Sequence, residues 1–194
     1  MAESTTTQGL PKKQRQILVT AEELFYKYGI KRVTVEEICR EANVSKMTFY
    51  KYFTNKITLA QYIWQTKIEG AISKLNEIDA LEVPFPEKME RVFEFTKQMT
   101  AKMDNEFVKD FIALELDHLG QDKLMQHMLQ IVRNAQQRGE IRPEIRPEFL
   151  LAMHDKTHEL LHDEKLFKLY PDYTAFNREM YDFFCYGMLP KPSR

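Results

Sequence analysis

Apolar residues recur at helical spacing along almost the whole of this chain, and that periodicity constrains its fold more than any other feature. The first clear run places Ile17, Leu18, Ala21, Leu24, Phe25 and Tyr28 on one face of a helix. Pro11 is suited to open that helix and Gly29 to stop it. The 194 residues include only six glycines and no Asn-Gly or Asp-Gly pair, so the turn chemistry of a hairpin sheet is missing. The expectation is an all-α protein.

Local signals divide the rest of the chain. Thr34 stands three residues before Glu37, a capping box that starts a second helix with Val35, Ile38 and Ala42 inward. Asn43 ends it, because Asn tolerates the left-handed conformation a sharp turn requires. Ser45 caps a third, very short helix reaching about Tyr52, with Val44 and Phe49 locking the pair from inside. Asn55 can cap a long fourth helix from Lys56 to about Ile78, with Ala60, Ile63, Trp64, Ile68, Ala71, Ile72 and Leu75 as its apolar set. The Val83–Pro86 stretch, VPFP, is the clearest break. Beyond it the periodicity predicts helices at 86–103, 105–119, 121–138, 147–162 and 172–188, with Gly120, Gly139, Pro143, Pro147 and Pro171 at the joints.

Charge is distributed unevenly. Residues 1–60 contain ten Lys or Arg against six Asp or Glu, whereas the other residues are net acidic. A basic segment holding two short helices and a tight turn is a helix-turn-helix pattern. The third helix is short because only its outer face needs to enter a major groove about 12 Å wide. Lys46 can donate to guanine edges or phosphate, the methyls of Met47 and Thr48 can meet a thymine methyl, and the hydroxyls of Thr48, Tyr50 and Tyr52 can reach phosphate oxygens. Ser45 and Lys51 complete that surface. Lys56 with the free amides at the start of the fourth helix forms an anion site, and Thr34 can serve likewise.

The run RQILVTAEELFYKYGIKRVTVEEICREANVSKMTFYKYFTNKITL resembles the TetR family of bacterial transcription regulators. The resemblance covers residues 12–60: a first helix ending in YG, a threonine-opened second helix, and NVSKMTFYKYFTNK. It departs from the family at Asn43, where Gly is commoner, and at Ile57, where an acidic residue is usual. It implies that positions 46, 48, 50 and 52 face DNA and that Thr34 and Lys56 hold backbone phosphates. It also implies an Ω-shaped, all-α homodimer with a variable ligand domain. The expected division is a disordered tail at 1–10, a DNA-binding domain at 11–55 and a helical ligand-binding and dimerisation domain at 56–194.

In that larger part, Trp64, Phe93, Thr96, Met99, Phe111, Glu115, His118, Met128 and Met153 are the candidates for a small-molecule pocket, although each serves equally as plain core. The last two helices are dense in large apolar residues. Leu150, His154, His158, Leu161, Phe176, Met180, Phe183 and Phe184 are the candidates for a four-helix dimer interface. His154, His158 and His162 share one helix face, but no fourth ligand is visible, so a solvated face is expected rather than a metal site. Cys39 and Cys185 fit no metal or redox spacing and are expected to be reduced.

There is no paired-carboxylate motif, no nucleophile beside a base and no phosphate loop, so an enzyme is not expected. The opening MAESTTTQGLPKK has no apolar core of a secretory signal, and the expected location is cytoplasmic, at the nucleoid. The expected function is a ligand-responsive repressor that binds a palindromic operator as a dimer and is released by a small molecule. The alternatives are a DNA-binding factor of the same fold without small-molecule input, or a ligand-dependent activator.

Overall fold

The computed structural model describes residues 9–160 and 163–188. Among them every regular element is helical: α1 (Lys12–Tyr28), α2 (Val35–Glu41), α3 (Lys46–Tyr52), α4 (Lys56–Asp79), α5 (Phe85–Thr100), α6 (Asn105–Ala113), a 3-10 turn at Leu116–His118, α7 (Gln121–Gln137), α8 (Pro147–Glu159), α9 (Glu164–Phe167) and α10 (Tyr173–Met188). The chain packs as two compact units, one ending at Ser73 and including Lys102–Gln121, the other formed by Lys74–Ala101 and the residues from Asp122 onward. Helix α4 contributes residues to both.

In the first unit, α1 packs against α2, α3 and α6. It buries Ile17, Leu18, Ala21, Phe25 and Tyr26. The periodicity favoured Tyr28 for this face, but Tyr28 is exposed and lies under the Lys27 ammonium (5.0 Å) and the Arg32 guanidinium (4.6 Å). Tyr26 turns inward instead and meets Phe107 of α6 edge-on at 4.8 Å. Burial, and secondarily the Glu22 carboxylate one turn earlier, pushes the Tyr26 hydroxyl well above its ordinary pKa.

The helix expected at 105–119 ends early. Ala113 is its last residue, Glu115 adopts a left-handed backbone (φ 54°), and the 3-10 turn follows. No local breaker marks this position. The reversal lets Leu116 bury almost completely, a case of packing overriding helix propensity. Gly120 then turns with φ 77° against Ile68, which an added Cβ would approach to 3.0 Å.

In the second unit, Leu75, Phe85, Met89, Ile131, Ala135 and Ile141 form the core, with Val92, Leu124, Met128 and Val132 packed on it. A polar knot closes one side. Buried Lys88 donates to the Asp79 carbonyl (2.7 Å), while Asn134 (3.1 Å) and Arg138 (3.2 Å) both reach the Asp79 carboxylate. The Lys88 ammonium also lies 3.7 Å from Asp79 Oδ1, and this ion pair with the carbonyl bond offsets the desolvation that burying Lys88 entails. Helix α10 packs on α5, with the Arg178 guanidinium 3.8 Å from the centroid of Phe93. Between α8 and α10 the chain makes the single turn α9.

Candidate nucleic-acid interface

Helices α2 and α3 are seven residues each, too short to persist alone, so their geometry depends on caps and on what they pack against. At the start of α2 the capping box is complete. The Glu37 amide donates to Thr34 Oγ1 (3.2 Å), and the Thr34 amide donates to Glu37 Oε2 (2.8 Å). This backbone bond, with help from the Thr34 hydroxyl, holds the Glu37 carboxyl below the usual range. Helix α2 buries Ile38 and Cys39, and burial pushes the Cys39 thiol upward, so it remains an unreactive core thiol.

The turn between the helices is made as the sequence anticipates. Asn43 has φ 50°, and the Val44 amide donates back to the Cys39 carbonyl (3.0 Å). Ser45 caps α3 by accepting from the Thr48 amide (3.1 Å), and its Oγ lies 2.9 Å from the Thr48 hydroxyl. Helix α3 is anchored by Phe49, which is fully buried, while Val44 is half-buried. Phe53, also buried, lies 6.0 Å from the Phe49 ring.

The opposite face of α3 points outward. Met47 is 82% exposed and Tyr50 55%. Lys46 and Lys51 are exposed, and Tyr52 and Thr48 are half-buried. The Lys51 ammonium lies 5.8 Å from the Tyr52 ring. Lys46 forms an ion pair with Glu36 on α2, and that bond holds the Glu36 carboxyl below its ordinary range and the Lys46 ammonium above its own. Sequence reasoning left Glu36 out of the interface; its place in the first turn of a capped helix that precedes a basic helix was the available signal.

The turn that enters α2 is gripped from two directions. Lys56, at the start of α4, donates to the carbonyls of Lys31 (2.6 Å) and Val33 (2.8 Å). Asp110 of α6 accepts from the Lys31 amide (2.7 Å), and its Oδ2 lies only 2.7 Å from the point a Cβ on Gly29 would occupy. Lys56 therefore gives two of its three ammonium protons to main-chain carbonyls. The Asn55 side chain caps α4 by accepting from the amides of Ile57 (2.8 Å) and Thr58 (2.9 Å).

The model of the family described as bacterial regulatory proteins, tetR family, matches residues 17–63, which take in this whole arrangement. That segment, about a quarter of the chain, resembles the TetR family. A relative described as an uncharacterized HTH-type transcriptional regulator, YhgD of Bacillus subtilis (strain 168), is 32% identical over 100 residues. That match takes in 48% of this chain and 52% of YhgD, so it spans about half the length of that relative. The solved structure of the fatty acid degradation regulator FadR from Bacillus halodurans superposes with a TM-score of 0.69 at 17% identity, covering 93% of this chain and 98% of that one. The structure of SmeT, the repressor of the Stenotrophomonas maltophilia multidrug efflux pump SmeDEF, gives 0.66 at 18%, covering 96% and 94%. At these identities the likeness is one of fold.

The other candidate surfaces are distributed over both units. Trp64 and Phe111 meet edge-on at 4.4 Å in the first unit, and Phe107 stacks on Phe111 at 5.6 Å. These rings line a small cavity with Glu22, Tyr26, Ile63 and Leu116. Glu115 and His118 belong to the same unit and are exposed. The remaining pocket candidates lie in the second unit. Phe93 is buried under Arg178, and the Thr96 hydroxyl donates to the Val92 carbonyl (3.0 Å). Met128 packs on the core, and Met99 and Met153 are half-buried.

Of the dimer candidates, Phe176 is buried in its own unit against Tyr170 (5.3 Å), Leu150 and Met180 are half-buried, and Phe183 is exposed. Leu161 and His162 lie outside the described residues, as do the side chains of His154, His158, Phe184 and Cys185. Residues 1–8 of the expected tail also lie outside them. Among the described residues no helix is long and apolar enough to cross a membrane.

Proposed function

We propose that the protein is a DNA-binding transcriptional regulator that acts as a homodimer on a palindromic operator, with a small molecule changing its hold on DNA. The observation that carries this reading is the two-sided character of α3: Phe49 is buried while Met47 and Tyr50 on the other side stand open. A helix that exists only to be packed has no reason to present a large thioether, a phenol and two lysines to solvent. Lys46, Met47 and Thr48 are assigned to base edges and Ser45, Tyr50, Lys51 and Tyr52 to the flanking backbone. Thr34 and Lys56 meet phosphate at the edges of the contact. For Thr34 this requires redirecting a hydroxyl that now donates to Glu37 (3.0 Å), and for Lys56 it uses a proton not given to Lys31 or Val33.

Regulation follows if a small molecule binds one conformation better than another and so shifts the population that fits the operator. Residues of α4 belong to both packing units, which makes this helix the natural carrier of such a shift. Repression in the cytoplasm, at the nucleoid, is the mode the family resemblance implies.

The test is selection of genomic duplex fragments on the purified full chain. The expected result is enrichment of a two-fold-symmetric sequence with half-sites about 34–36 Å apart, or a multiple of that spacing. Its affinity should fall linearly on a log–log plot as salt rises, by about 0.9 in slope for each phosphate neutralised. No enrichment of any sequence would remove the reading.

A further inference from the structure

We propose that Glu36 is a specificity-setting residue of this interface: its carboxylate aims the Lys46 ammonium and repels the flanking phosphate backbone. The inference rests on the DNA-binding reading above and adds a residue that no part of that reading requires.

The geometry is that of a brace across the helix pair. Glu36 lies in the first turn of α2, Lys46 is the first residue of α3, and the two are ion-paired. Their helices are fixed relative to each other by the Asn43 turn, the Val44–Cys39 backbone bond and the packing of α2 on α3. The side chains are 58% and 57% exposed, so the pair sits on the solvent side of that frame, beside the open face of α3.

Two effects follow. Lysine carries its charge on a long flexible stem, and a fixed partner narrows the directions it samples before DNA arrives. The ammonium has three protons, so it can remain on Glu36 while donating to the O6 and N7 of a guanine. The second effect is repulsive. Binding to arbitrary sequence is almost wholly attraction between basic side chains and phosphates. An anion among those side chains weakens such contacts, and discrimination commonly needs a repulsive element of this kind. Glu36 therefore favours the sequence that offers Lys46 a base edge and penalises those that offer only backbone.

The test uses full-length Glu36→Ala and Glu36→Gln, each alone and combined with Lys46→Ala. Affinity is measured for the enriched duplex and for a scrambled duplex of equal length, over a range of salt. Far-ultraviolet circular dichroism confirms that each variant is folded. For Glu36→Ala the enriched duplex should bind about threefold more weakly and the scrambled one about threefold more tightly, the size an exposed ion pair supports. The discrimination ratio then falls about tenfold. Glu36→Gln, which keeps an acceptor oxygen but no charge, should tighten the scrambled duplex and leave the enriched one closer to wild type. In the Lys46→Ala background the weakening on the enriched duplex should vanish.

A ratio unchanged in Glu36→Ala overturns the proposal, as does an equal weakening with Lys46 absent. A helix-stabilising carboxylate alone would not move opposite duplexes in opposite directions. Wild-type protein that prefers no duplex removes the DNA-binding reading together with this one. Wild-type preference with a flat Glu36→Ala ratio removes only this one.

Discussion

Helices α2 and α3 have the same length, a hydroxyl residue at the N-cap and adjoining places in the chain, yet they are built for different ends. Helix α2 begins with a reciprocal capping box and buries Ile38 and Cys39. Helix α3 begins with a single-sided cap from Ser45 and buries Phe49 alone. The first is a brace and the second is a display held by one ring. The difference shows how a short helix can be rigid and still leave most of its surface free: its neighbours supply the order, so its own residues need not.

Phe49→Ala sharpens this contrast most. Removing a fully buried ring should destabilise the protein by about 3–5 kcal/mol and release α3. Ile38→Ala should cost about 2–5 kcal/mol, but Cys39 remains to hold α2. Denaturant unfolding checks both. If Phe49→Ala proves the milder change, α3 is not hung on that ring and the contrast fails.

The turn before α2 comes next. Gly29 has φ 81° and ψ 158°, a region open essentially to glycine, and a Cβ there would come within 2.7 Å of the Asp110 carboxylate. Gly29→Ala should therefore destabilise by about 1–3 kcal/mol from backbone strain, and more if Asp110 cannot shift. Gly29→Ala combined with Asp110→Ala should recover only the part due to the clash. Full recovery in the double variant would show that the backbone conformation itself carries no strain.

The caps give smaller effects. Thr34→Ala should lower stability by about 1 kcal/mol. The Glu37 contribution carries a pH signature. Its carboxyl is held below the ordinary 4.5 in the folded protein, so the stabilisation is complete above that value and is lost as pH falls through the lower folded one. Melting curves of wild type and Glu37→Gln should differ at neutral pH and converge in acid. A gap that widens in acid would contradict the capping-box account.

Much of this region was legible because its signals are local. Thr34 and Glu37 are three residues apart, Ser45 caps the next turn, and Asn43 needs only its own backbone to reveal itself. What escaped depends on residues distant in sequence. Tyr26 was chosen over Tyr28 by Phe107, and Gly29 is closed by Asp110 some 79 residues beyond Lys31. The left-handed Glu115 has no marker in the chain around it and follows from the burial of Leu116. Lys56 was legible as a cation at a helix start, but not as a donor to Lys31 and Val33, which lie 25 and 23 residues back. The pocket candidates were chosen by residue type, which does not distinguish core from cavity. Met128 shows this, as it packs on the core of the second unit.

The smallest stability change and the largest functional one should meet in the same residue. Tyr50 is 55% exposed on the open face of α3, so Tyr50→Ala should leave unfolding free energy within about 0.5 kcal/mol of wild type. The most direct measurement is the affinity of that folded variant for the enriched duplex. The account predicts a loss of at least about tenfold, as for a contact worth roughly 1–3 kcal/mol. Wild-type affinity in Tyr50→Ala, with Lys46→Ala equally unaffected, would contradict it and leave the outward face of α3 without a role.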